Sequence, residues 1–291
     1  MGNPNSQSSR VAFLDGCGHL PLLQITTPWS AAEIYLHGAH VTQFQNTGEP
    51  PLLFMSSESR FEKTAPIRGG IPVIFPWFGK PVDKPGQHGF VRQRAWDLKE
   101  IATAPDGVVT VRLVLPSSPD LPAAVTVEYL VTVRDTLTAE LVVTNQSAGE
   151  LAFENCLHTY FTIGDINTVS VTGLKGVEYL DAMDGFTRKL EREDAIRFTC
   201  ETDRVYFNTA HTTEIHDPTL RRTIRVEKTN SLSTVVWNPW IAKAKAMPDY
   251  GDEDYKQMVC VESGNVREHA IKLAPGETSR LEVKLSSASL L

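Results

Sequence analysis

Apolar side chains recur at every second position over much of this chain. AVTVEYLVTVR (124–134), LTAELVVTNQS (137–147), VVTVRLVL (108–115) and SRLEVKLSS (279–287) keep that period with few breaks. Successive side chains of a strand point to opposite faces, so this period predicts half-buried β-strands. Shorter runs of the same kind are VAFL, LLQITT, AAEIYLHG, HVTQFQN, TVSVTGL, DRVYFNT, TIRVEKT, STVVWNP and KQMVCVES. Turn residues separate the runs, and Asp135-Thr136 marks the turn of one long hairpin. Helical periodicity is never sustained, and only NPWIAKAKAMPDY leaves room for a short helix. The pattern predicts an all-β sandwich of one domain over residues 11–291, with 1–10 as a disordered tail.

FENCLHTYF (153–161) reads as one buried strand. Alternation along it would set Glu154, Cys156, His158 and Tyr160 on one face. Two stretches are not plain connectors. IRGGIPVIFPWFGKPVDKPGQHGFVRQRAW (67–96) is too rich in Pro and Gly for a regular ladder. WNPWIAKAKAMPDYGDEDYKQ (237–257) is aromatic first and acidic later. Long ordered loops of this kind are usually where binding residues gather.

The 291 residues carry a net charge of −7, which argues against a nucleic-acid binder. No apolar run reaches the ~18 residues needed to cross a membrane. The N-terminus has no secretory apolar segment, so a cytoplasmic protein is expected. It does match the myristoylation pattern at Gly2, without a polybasic partner that would make such an anchor stable. The four cysteines, Cys17, Cys156, Cys200 and Cys260, are widely spaced and read as reduced thiols.

In KQMVCVES, alternation puts Met258, Cys260 and Glu262 on one face. A carboxyl on an apolar face is pushed toward the pKa of a general base, whereas one at a strand end simply meets water. His158 offers a similar choice between a hydrogen-bonded core histidine and a proton donor. Arg60, Arg68, Arg92 and Arg94 cluster around the Gly/Pro stretch and suit bidentate contacts to a phosphate. Trp237, with other aromatics, suits stacking on a sugar face or packing in a core. His37, His40, His211 and His216 are too loosely spaced to suggest a metal site.

RGGIPVIFPWFG, QHGFVRQRAW, ENCLHTYF, DRVYFN, VVWNPW and VCVESGNV occur in this order. Together they resemble the glucose-6-phosphate 1-epimerases, a branch of the galactose-mutarotase-like superfamily, from about residue 20 to about residue 285. The resemblance implies a large antiparallel β-sandwich, no metal or organic cofactor, and interconversion of the α and β anomers of glucose 6-phosphate. It implies Glu262 as general base and His158 as general acid. Arg60, Gln87 and Arg92 would contact the phosphorylated sugar and Asp203 its hydroxyls, with His88, Arg68 and Trp237 beside them. The carboxylate would keep His158 protonated, and the imidazole would sit on a rigid strand.

Two other readings stay open at this level. An aldose 1-epimerase acting on free hexoses would not need arginines beside its site. A non-catalytic sugar-phosphate-binding module would not need the His158–Glu262 pair. A small-molecule hexose 6-phosphate is the expected partner, and nothing calls for more than a monomer.

Overall fold

The computed structural model describes residues 8–121 and 124–290, so Gly2 lies outside the described residues. Two large antiparallel sheets carry the fold. The nine-stranded sheet runs in the order 195–196, 170–172, 213–217, 222–229, 278–289, 137–145, 125–133, 109–114 and 97–103. The eight-stranded sheet runs 187–190, 178–181, 202–207, 233–238, 258–265, 155–157 and 73–74, with 160–162 also paired to 258–265. A four-stranded sheet over Arg10–Asn46 flanks them, its first strand opening at the last residue of the expected tail.

The long strands form where the period-two pattern predicts them. Val125–Val133 pairs with Leu137–Asn145 around the expected turn. Val127, Tyr129, Val131 and Val133 bury one face of that hairpin, and Val259, Cys260 and Val261 of the eight-stranded sheet belong to the same core cluster. The two sheets thus close on each other through apolar side chains, the packing of a β-sandwich. The short helix is Trp240–Ala246. Among the described residues no helix is long and apolar enough to cross a membrane.

Several elements depart from the sequence reading. FENCLHTYF is not one strand but parts of Leu151–Phe153, Asn155–Leu157 and Tyr160–Thr162, and His158 falls in the gap between the last two. The chain breaks because it changes partners. Leu151–Phe153 pairs with Ile271–Leu273, while Asn155–Leu157 pairs with strand Met258–Asn265, from Asn155↔Asn265 to Leu157↔Ser263. Glu154 between them turns its carboxylate to the backbone N–H groups of Phe78 and Arg267. Such interruptions re-aim a side chain, and here the side chain is His158.

Within 67–96, Val73–Ile74 adds a two-residue strand against Cys156–Leu157. Gly69 and Gly70 take φ of +120° and +58°, and a Cβ on them would lie 2.4 Å from Phe54 O and 2.2 Å from Val41 O. Only glycine fits that turn, which delivers Arg68 to the face of the sheet. Asp97–Thr103 is a strand that alternation does not predict. It is an edge strand and almost wholly exposed, so neither face is marked by apolar residues.

Candidate active site

A cavity of about 580 Å³ opens over the eight-stranded sheet. Strands 202–207, 233–238 and 258–265 floor it with Asp203, Val205, Val235, Trp237 and Glu262, and every residue of Met258–Asn265 is buried. Glu262 sits inside that strand opposite Val235, only 1% exposed, and not at a solvated strand end. Its Oε1 lies 3.2 Å from His158 Nε2. Its Oε2 lies 3.5 Å from the Cys156 thiol. The imidazole is clamped by stacking on Tyr160 (4.9 Å between ring centroids, 15° between planes) and by the edges of Trp237 and His88.

Burial dominates the electrostatics. It pushes the Glu262 carboxyl well up, with Asp203 adding to the push. It pushes His158 well down, and the Arg92 and Arg68 guanidiniums act in the same direction. Burial and the two guanidiniums thus work against the expectation that the carboxylate keeps His158 charged. Two groups so shifted, 3.2 Å apart, compete for a shared proton and titrate as a pair. Burial, then Glu201, also raises Asp203, to about 6.

The arginines differ in kind. Arg68 is paired, with a forked contact of 3.0 and 3.2 Å to the Asp249 carboxylate and a bond of 3.1 Å to Tyr160 Oη. Arg92 has no acidic partner among the described residues. Its Nη2 donates to Gln87 O at 2.8 Å, and its Nε is buried with no acceptor. Burial lowers it to about 10.

His158, Cys260 and Glu262 each offer a ligand atom within 4.8 Å of one another. That nitrogen, sulfur and oxygen set has the composition zinc accepts. Burial holds the Cys260 thiol protonated, so a cation there would have to displace protons from both thiol and carboxyl.

The aldose 1-epimerase family model matches residues 21–286 of this sequence. A Cenchrus ciliaris protein named as a candidate glucose-6-phosphate 1-epimerase is 38% identical over 268 residues, 88% of this chain and 81% of the relative. An Escherichia coli K12 protein of the same name is 34% identical over 251 residues, 86% of this chain and 84% of the relative. The chain belongs to the aldose 1-epimerase family. A crystal structure of a candidate mutarotase from Salmonella typhimurium superposes with a TM-score of 0.88 at 32% identity, covering 98% of this chain and 95% of that one. A galactose mutarotase-like protein from Clostridium acetobutylicum, at 15% identity and a TM-score of 0.70, shares the fold.

The epimerase sandwich gathers most of the residues singled out in the sequence. His158, Glu262 and Asp203 line the cavity together with Arg68, Arg92, Gln87, His88 and Trp237. Arg60 does not. It is exposed, and its Nη2 meets Pro248 O at 3.4 Å from outside the lining residues. Arg68, at the strained glycine turn, was expected beside Arg60 and does line the cavity. The sequence reading missed Asp249, Lys243 and Arg267 on the cavity wall. Asp249 and Lys243 lie in the aromatic-acidic stretch already set apart as irregular, whereas nothing near Arg267 marks it.

Proposed function

We propose that this epimerase interconverts the α and β anomers of a hexose 6-phosphate, glucose 6-phosphate first among them. One observation carries the phosphate: Arg92 is a buried cation with no carboxylate in contact among the described residues, in the same cavity as the proton-transfer pair. A guanidinium in that state favours an anion able to take several hydrogen bonds. The names of the relatives point to the same substrate.

In this reading Glu262 takes the proton from the C1 hydroxyl while His158 gives one to the ring oxygen O5. The C1–O5 bond breaks, leaving a neutral aldehyde and a C5 hydroxyl. Rotation about C1–C2 presents the other carbonyl face, and the reverse transfers close the ring. The competent state places the shared proton on His158, and the substrate's phosphate favours that state by offsetting the two guanidiniums. Asp203 accepts from sugar hydroxyls, and Trp237 borders the ring. Each positioned proton-transfer group contributes ~10²–10⁴-fold.

NMR exchange spectroscopy at anomeric equilibrium tests the proposal. Accelerated α–β exchange of glucose 6-phosphate but not glucose, abolished in His158→Ala and Glu262→Gln, is the expected result. Equal acceleration of both sugars would shift the reading to an epimerase of free hexoses. Binding without acceleration would remove the catalytic assignment.

A further inference from the structure

The Glu262 carboxyl is held at both oxygens. Oε1 faces His158, and Oε2 receives a contact from the Cys156 thiol at 3.5 Å, a normal length for a sulfur donor. Cys156 is fully buried on strand Asn155–Leu157, next to Glu262 through the pairing Cys156↔Gly264. That closeness depends on Gly264. A Cβ there would lie 2.5 Å from Asn155 O and 2.8 Å from Cys156 Cβ, so any other residue would push the two strands apart.

We propose that Cys156 is a positioning residue for the general base, donating its S–H to Oε2 so that Oε1 is fixed toward His158 and the sugar. The direction of the bond follows from the surroundings. The thiol stays protonated because it is buried beside Glu262 and has Glu154 nearby, which outweigh the opposing pull of Lys228. A protonated thiol has an S–H to give, and the charged carboxylate, which has no proton of its own, can only accept it. Donation stabilises the charged form of Glu262 against burial and against Asp203, on the same side as Arg92. The thiol thus does two things at once: it fixes the plane of the carboxylate and keeps it from binding a second proton too readily. Cys260, the other buried thiol, lies on the strand of Glu262 itself and contacts Met258 sulfur at 3.9 Å, so it does not substitute for this bond.

This inference rests on Glu262 acting as base in anomer exchange, and the experiment separates the two. Full pH–rate profiles for glucose 6-phosphate exchange are compared for wild type and for Cys156→Ala, Cys156→Val and Cys156→Ser. Thermal melts establish that each variant is folded. Loss of one weak hydrogen bond predicts a drop of about three- to ten-fold in kcat for Ala and Val, with KM nearly unchanged. The acid limb should move to higher pH in both, because Glu262 then takes the second proton more easily. Ser keeps a donor and should return the limb toward wild type, whereas Val keeps volume and should not. Gly264→Ala, where it folds, should copy the Ala variant. Rescue by Val rather than Ser, or identical limbs in all four proteins, would overturn the proposal. Persistent exchange in Glu262→Gln would instead overturn the assignment of the base.

Discussion

The two large sheets obey the same hydrogen-bonding rules and carry different burdens. The nine-stranded sheet is built of long ladders, such as Val125–Val133 on Leu137–Asn145, with one face buried and one polar. The eight-stranded sheet is built of short and interrupted strands, and its central strand Met258–Asn265 is buried on both faces. One face of that sheet packs into the core, while the other meets the small cluster of Phe78, Cys156, Val205 and Val235 and the cavity. Regularity belongs to the sheet that supplies stability, and irregularity to the sheet that aims side chains. Most polar groups on the second sheet find a partner or face the cavity; the buried Asn155 Nδ2 is an exception.

The sharpest way to break this comparison is to exchange the outcomes of mutation. Glu262→Gln and His158→Ala should each lower anomer exchange by ~10²-fold or more while leaving the thermal melt close to wild type. Leu141→Ala in the other sheet, a fully buried position, should cost about 2–5 kcal/mol in denaturant unfolding and leave kcat per folded molecule unchanged. Reversal of either result would dissolve the division of labour.

Arg92→Met should raise KM for the phosphorylated sugar by roughly ten- to a hundred-fold, the range of a hydrogen bond to a charged group. The same change should raise the melting temperature, because it removes a cation whose burial is costly and which has no carboxylate in contact among the described residues, Asp249 and Glu262 acting on it only from a distance. A variant that weakens binding and also melts earlier would contradict the account of Arg92 as a site for an external anion.

Asp203 gives a pH test with a definite sign. Burial raises it to about 6, so below that value it is protonated and accepts hydrogen bonds from sugar hydroxyls less well. KM should fall as pH rises through about 6, and Asp203→Asn should flatten that dependence. In stability the sign is opposite: the folded state holds this proton more tightly, so the group's contribution declines as pH climbs from its ordinary value of 3.8 to about 6. The smallest effect is expected at Arg60, where Arg60→Ala should change KM by less than about two-fold, since an exposed side chain outside the cavity contributes little.

The contrast between the sheets also explains what could be read without coordinates. AVTVEYLVTVR announces its strand because one face is buried and the other wet, which is the condition that makes alternation visible. KQMVCVES shows its strand through β-branched residues and places Met258, Cys260 and Glu262 together correctly, although the whole strand is buried. FENCLHTYF misleads because its break comes from a change of pairing partner, which is set by residues more than a hundred positions away. DLKEIAT is silent because an exposed edge strand has no dry face to encode. Most of the cavity residues were legible as chemistry, yet Arg60 and Arg68 could not be ranked. Only the close approach of Gly69 and Gly70 to Phe54 and Val41 decides which arginine turns inward.

The stranded guanidinium of Arg92 also ties the durability of the fold to its solvent. Any small dianion that settles beside it binds the folded chain alone, so buffer composition becomes a thermodynamic variable. At a hundred times its dissociation constant such a solute adds about 2.7 kcal/mol to the free energy of unfolding. The protein's melting point should then serve as a gauge of how much free phosphate surrounds it.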